Sequence, residues 1–188
     1  MGQVYDTITP ALQRFIAEQP LFFVGTAGAQ GHVNVSPKGP IGTFAVLGPT
    51  QVAYLDRVGS GIETAAHAQA DGRITFMFCS FGKRPKIVRL YGQARLVWPD
   101  DDAFAALAAH FDDALFATPG HRRCIVVADL DRVSDSCGDG VPVMTFEHDR
   151  DNSDRWARGL QRKSPTGLAD YMAANNTTSI DGLPGVPA

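Results

Sequence analysis

Between Leu21 and Leu55 glycine and proline cut the chain into four short apolar runs. Leu21-Phe-Phe-Val-Gly-Thr-Ala27 stops at Gly28-Ala-Gln-Gly31, and His32-Val-Asn-Val-Ser36 alternates with period two before Pro37-Lys-Gly-Pro40. Ile41 to Leu47 closes at Gly48-Pro49, and Gln51-Val-Ala-Tyr-Leu55 follows. Such runs are short for helices and the right length for strands. The connections are also short, so consecutive runs are expected to pair antiparallel as a meander, which further strands can close into a barrel. Nineteen glycines and twelve prolines among 188 residues bias the whole chain towards turns.

Arg73 to Ser80 and Lys86 to Trp98 read as a fifth and a sixth strand, joined by the basic turn Phe81-Gly-Lys-Arg-Pro85. Cys124 to Leu130 is the last convincing strand. Thr9-Pro10 opens a helix with a threonine N-cap and a proline at the first helical position. Leu12, Phe15 and Ile16 share one face of it, and Pro20 ends it. A second helix is expected over Ile62 to Ala70. A third starts at Pro99-Asp-Asp-Asp102, with its acids in the first turn and Phe104, Leu107, Ala108 and Phe111 buried. From Asp131 the character changes. Ser134 to Pro142 reads as a turn-rich loop, helical segments follow over Asp151 to Lys163 and Gly167 to Asn175, and the tail Ser179 to Ala188 is too rich in glycine and proline for regular structure. The expectation is one mainly β (α+β) domain, with its core at about 21–133 and a C-terminal helical arm at 134–188.

A net charge of −3 argues against a general nucleic-acid binder, which carries a basic face. The N-terminus Met1-Gly-Gln-Val-Tyr-Asp-Thr has neither the basic nor the apolar region of a signal peptide, and no apolar run approaches the roughly 18 residues of a membrane span. Cys79, Cys124 and Cys137 are odd in number and lack C-x-x-C spacing. Together these point to a cytoplasmic protein with reduced thiols. The five histidines form no H-x-x-x-H or H-E-x-x-H pattern, so no metal site is expected, and there is no G-x-S-x-G hydrolase elbow.

The chemistry concentrates where Gln51 to Leu55 runs through Asp56-Arg-Val-Gly-Ser-Gly61 into the helix at Ile62. Main-chain N–H groups at a helix start lack partners and the macrodipole is positive there, which makes an anion seat. Ser60 followed by Glu63 also reads as a capping box, which by itself explains both residues. Arg57, with Lys38 from a neighbouring strand, would supply the cation an anion needs beside Glu63. The G-x-G-x-x-T spacing lacks the third glycine of a dinucleotide fingerprint. Lys83, Arg84, Lys86 and Arg89 form either a solvated hairpin tip or a phosphate clamp. His67 lies one helical turn after Glu63 and is expected to pair with it. Ser136-Cys-Gly-Asp-Gly140 reads as a tight turn, with Cys137 as an alternative reactive thiol lacking a neighbouring base.

Four segments, in this order and spacing, resemble the pyridoxamine 5′-phosphate oxidase-like flavoproteins, the FMN-binding split-barrel family. They are His32-Val-Asn-Val-Ser-Pro-Lys-Gly39, Ala53-Tyr-Leu-Asp-Arg57 leading into Gly59-Ser-Gly-Ile-Glu-Thr64, Gly72-Arg-Ile-Thr-Phe-Met-Phe78, and Lys86-Ile-Val-Arg-Leu-Tyr-Gly92. The likeness spans about Leu21 to Val133, and the 136–142 loop and 179–185 tail look like an uncharacterised subgroup. It implies a six-stranded antiparallel split β-barrel with flanking helices, a homodimer, and one FMN in each of two inter-subunit clefts. The family pattern places Asn34, Val35, Ser36 and Lys38 beside the isoalloxazine and ribityl chain. Leu55, Asp56, Arg57, Ser60 and Gly61 fall around the ribityl and phosphate, and Lys86 and Arg89 come from across the dimer. The activity implied is an FMN-dependent oxidoreductase with no essential acid or base named. A non-enzymatic haem- or small-metabolite-binding barrel and a deazaflavin-dependent reductase are the alternatives. Family oxidases carry Ser-Arg-Lys at the turn where this chain has Gly59-Ser-Gly61, so two expected cations are missing. The tryptophan and arginine that hold the pyridoxal substrate have no clear counterpart, although Trp156 and Arg158 lie in the arm.

Overall fold

A computed structural model describes residues 2–187. Met1, at the head of the N-terminus, and Ala188, at the end of the tail, lie outside the described residues. Eight strands form one antiparallel sheet: β1 (Gln3–Tyr5), β2 (Phe22–Thr26), β3 (Asn34–Lys38), β4 (Phe44–Gly48), β5 (Gln51–Arg57), β6 (Arg73–Cys79), β7 (Ile87–Val97) and β8 (Arg122–Ser136). The strand order is β3-β2-β6-β7-β8-β5-β4, with β1 added on β8. β2–β3 and β4–β5 are the expected hairpins. The meander is not formed, because β3 and β4 lie at opposite ends of this order and β6, β7 and β8 are laid between the two hairpins.

The sheet nevertheless closes. Phe22 of β2 and Phe44 of β4 stand far apart along the strand order, yet their rings meet edge to face at 5.0 Å. Phe76 and Phe78 of β6 stack around them, and Val24, Tyr54, Val88, Leu90 and Val126 complete a buried interior. Curling the sheet buries the inward face of most strands, which is the split-barrel architecture the family resemblance implies, here with eight strands. Opposite Gly92 β8 bulges at Asp131, and a Cβ on Gly92 would collide with the Asp129 carbonyl, so the close approach requires glycine. Helix α1 (Pro10–Ala17) closes one end, with Thr9 Oγ1 accepting from Leu12 N at 3.3 Å and Leu12 and Ile16 buried.

Several boundaries differ from expectation for physical reasons. β3 runs through Pro37 instead of stopping at it. As an edge strand it needs no donor on its open side, and Pro37 stands opposite Phe23. β8 continues to Ser136, so the first three residues of the expected 134–142 loop are strand, while 137–142 form the turn-rich connection. Val133 is buried, and the polar residues around it pair with β1 on one side and β7 on the other. Helix α3 (Phe104–Ala108) has no acid in its first turn. Asp101 instead closes the preceding turn, accepting from Trp98 N at 2.7 Å. Helix α2 (Glu63–Ala70) starts one residue later than expected. The arm contributes α4 (Asn152–Lys163) and α5 (Gly167–Asn175), which together bury Val58 behind the β5–α2 turn. The tail has one isolated bridge, Thr178 with Pro184.

Candidate cofactor-binding cleft

The turn between β5 and α2 faces the edge strand β3 across a cleft of about 290 Å³. Ser36 and Lys38 line it from β3, Arg57 from the end of β5, Ser60 and Gly61 from the turn, and Thr64 from α2. Arg123 enters from the start of β8, where a register shift after Asp56 brings it beside β5. A shallower groove continues past Ser60 and Gly61 along Asn34 and Val35. Seven of the eleven residues implied by the family resemblance are thus brought together. Leu55 and Asp56 adjoin them but are buried: Leu55 packs outward on Phe104 and Phe111, and Asp56 lies beneath the cleft floor. Lys86 and Arg89 do not reach the cleft of their own chain. Lys86 pairs with Asp135 at 2.8 Å, and Arg89 donates to Ser136 Oγ at 3.0 Å, while Lys83 and Arg84 are exposed at the hairpin tip.

The capping box is absent. Ile62 occupies the cap position without a side-chain cap, and Glu63 reaches back one residue to accept from Ile62 N at 3.0 Å. Ser60 is therefore left at the cleft. His67 does not pair with Glu63 either. It is buried and meets Thr26 Oγ1 through Nδ1 at 3.0 Å. Asn34 donates to both Thr26 and Thr64, and Ser36 donates to Asn34 at 3.0 Å. This network fixes Ser36 and Thr64 at the cleft wall.

Beneath the wall lies a buried ion network. Asp56 accepts from Arg123 Nε at 2.7 Å and from Lys38 Nζ at 3.2 Å. Burial pushes the Asp56 carboxyl up, but Arg123 and then Lys38 outweigh it and hold the group below the ordinary carboxylate range. Arg123 continues to Asn176 Oδ1 at 3.1 Å, and Asn176 Nδ2 donates to the Gly59 carbonyl. The residue after α5 thus braces both the buried arginine and the turn. The tail seals the same place, because a Cβ at Gly185 would strike the Asn176 carbonyl and Ile62.

Arg57 is held from the arm. Its Nη2 contacts Asp154 of α4 and lies 2.9 Å from His121 Nδ1. Burial and the Arg57 charge drive the His121 pKa down to about 4 despite Asp154. The imidazole is therefore neutral and accepts from Arg57, while Nε2 faces Ser153 Oγ at 3.1 Å. The Arg57 side chain is 10% exposed, and its Nε is buried without a partner at the edge of the cleft. Trp156 stacks edge-on to Tyr171 inside the arm and does not enter the cleft. Arg123, His121, Asp154 and Asn176 were not singled out in the sequence. Only Arg123, a charge next to a buried strand start, left any local signal.

The remaining candidates are structural. Cys137 is exposed, and Gly138 beside it packs against the Lys86 backbone, as a tight turn requires. Among the described residues no group of three or more His, Cys, Asp or Glu is placed to hold a metal, and no helix is long and apolar enough to cross a membrane.

An antiparallel sheet curled around an aromatic core, with a polar cleft between its edge strand and a strand-to-helix turn, defines a split-barrel protein. Residues 8–137 match the family model described as pyridoxamine 5′-phosphate oxidase. The chain is 36% identical over 194 aligned residues, covering 97% of itself and 77% of the relative, to the pyridoxamine 5′-phosphate oxidase family protein ustO of Aspergillus flavus. It therefore belongs to the pyridoxamine 5′-phosphate oxidase family. Among solved structures, an FAD-binding protein from Mesorhizobium loti superposes with a TM-score of 0.50 at 12% identity, covering 72% of this chain and 96% of the other. A conserved protein of unknown function from Corynebacterium diphtheriae gives 0.50 at 11% identity, covering 72% and 98%. These two likenesses show the shared fold.

Proposed function

We propose that the cleft binds FMN and that the protein is an FMN-dependent oxidoreductase acting as a homodimer. The observation that carries this reading is the cationic wall on which Arg57, its Nε without a protein partner, stands with Lys38, Arg123 and the Ser36, Ser60 and Thr64 hydroxyls. A buried donor without an acceptor is costly, and a phosphate oxygen would satisfy it. The residues present therefore fit the phosphate end of the cofactor, with Lys38, Arg57, Arg123 and Ser60 holding it and Asn34, Val35 and Ser36 lining the groove towards the ring. Bound flavin supplies hydride transfer at N5, and the chain supplies binding, orientation and charge. The Mesorhizobium loti neighbour is described as FAD-binding, in keeping with a flavin on this fold.

Val33 and Val35 stand beside the groove at 73% and 66% exposure, an apolar edge suited to cover by a second subunit. Lys86 and Arg89 of the partner subunit are the cations the family pattern would then bring. Among the described residues no histidine lines the cleft of about 290 Å³, and His32 borders the adjoining groove.

The test is flavin absorbance in the purified protein, followed by titration with FMN, riboflavin and a deazaflavin. Micromolar or tighter FMN binding is expected. Arg57→Ala should weaken FMN by about ten- to a hundredfold, from the loss of charge-assisted hydrogen bonds, and leave riboflavin nearly unchanged. No flavin binding at micromolar concentration, or an Arg57→Ala variant that binds like wild type, would refute the reading.

A further inference from the structure

We infer that Asp154 of α4 sets the charge selectivity of the cleft: acting through Arg57, it suppresses the preference for a phosphate dianion over an uncharged ligand end. This rests on the flavin reading above and goes beyond it by assigning a role to the C-terminal arm.

Three cations border the cleft, and each already has an answering carboxylate. Asp56 is shared by Lys38 and Arg123, Asp154 contacts Arg57, and Glu63 stands on the wall itself. The three differ in what they can yield. Asp56 is buried in a closed network with two cations and cannot leave without stranding Arg123. Glu63 is turned back onto the Ile62 N–H. Asp154 is 33% exposed, sits on an amphipathic helix of the arm, and engages only the Nη2 corner of Arg57. The Nε of the same guanidinium has no hydrogen-bond partner, and the side chain lines the cleft.

Asp154 and His121 take the Nη2 corner of Arg57, and the side chain also lines the cleft wall. His121 meets Arg57 as an acceptor and adds no charge. A phosphate in the cleft beside Arg57 would share the guanidinium with Asp154 and feel its negative charge across that one group. A dianion feels this repulsion twice over, and an uncharged ribityl end not at all. Asp154 touches no ligand in this arrangement and is a positioning and charge-setting residue.

Binding of FMN and riboflavin to the full chain separates this role from a structural one. The two ligands share ring and ribityl chain and differ by the phosphate. In Asp154→Asn, FMN should tighten by about tenfold, as expected for removing one partly screened charge a few ångströms away, with riboflavin unchanged. Asp154→Ala should behave alike, which keeps the test open should the first variant fold poorly. Asp154→Glu, which keeps the charge, should retain the wild-type FMN-to-riboflavin ratio. An unchanged or weaker FMN affinity in both neutral variants overturns the inference while leaving the flavin reading intact. Parallel shifts for FMN and riboflavin also overturn it, because α4 would then serve only as a wall. Absence of all flavin binding in wild type overturns the flavin reading and this inference with it.

Discussion

His121 should make the protein acid-sensitive well above the range where carboxylates titrate. The ring is 1% exposed, packed between Arg57, Ser153, Asp154 and Trp156, and its pKa is lowered from 6.5 to about 4 by burial first and by the Arg57 charge second. A histidine whose folded pKa is depressed binds its proton more readily in the unfolded chain. Stability therefore rises with pH between the two values and is lost as pH falls from about 6.5 towards 4. The full effect is about 3 kcal/mol, and about 2 kcal/mol of it falls between roughly pH 7.5 and pH 5. Asp56 and Asp135 contribute little in that window. Burial pushes both carboxyls up, but their partners hold both below the ordinary value, so their contribution is lost only at lower pH. Glutamine can accept from Arg57 and donate to Ser153 without titrating, which makes His121→Gln the matched control. Urea denaturation at the two pH values should show wild type losing about 2 kcal/mol more than the variant. Equal losses would mean that His121 is not held neutral beside Arg57.

Asp56→Asn should lower stability by about 3 kcal/mol or more, read as a fall in the thermal midpoint, because the Arg123 charge is left buried without its counter-ion. Gly92→Ala should cost about 2 kcal/mol in denaturant unfolding, since the new Cβ meets backbone of Asp129 that cannot rotate away. Gly185→Val should lift the tail off Ile62 and Asn176. Faster amide exchange at residues 185 and 186, whose N–H groups donate to the Thr177 and Asn176 carbonyls, would show this while the barrel strands stay protected. Arg89→Glu should weaken dimerisation and FMN binding together if the partner subunit supplies that side chain, measured by sedimentation and titration. A change in neither would remove Arg89 from the interface.

The parts legible in the sequence are those with a local physical cause. Period-two runs bounded by glycine and proline gave strands, Thr9-Pro10 gave a capped helix, and α5 begins and ends where its pattern says. Pairing order was not legible, because β3 turns Asn34, Ser36 and Lys38 inward and leaves Val35 exposed, so no apolar face ties it to β4. The choice is made by β6, β7 and β8, which arrive later in the chain. The Ser60–Glu63 pattern had the right spacing for a capping box. The helix begins one residue later and Glu63 finds the nearer Ile62 N–H, so spacing alone misled. The end of β8 was missed because Asp131 to Ser136 carries only Val133 as an inward apolar residue.

The cleft shows the same division at the level of charge. From the turn alone, Gly59-Ser-Gly61 looks like a phosphate seat short of two cations. In the fold a cation does arrive from elsewhere: Arg123 joins Lys38 and Arg57 from β8. Asp56 and Asp154 already answer those cations, while Glu63, on the same wall, accepts from the Ile62 N–H. Asp56 and Glu63 lie next to the turn and were in view from the start. Asp154 is 97 residues from Arg57, in a helix whose pattern advertises only an exposed face and a buried one. A contact of that range leaves no mark in spacing, capping or periodicity, since each of those reports on neighbours within a few residues. The arm looked like an appendage for that reason. Through Asp154 and Asn176 it fixes both the charge and the shape of the cleft, so changes in α4 and the tail should alter ligand choice more readily than changes in the barrel core.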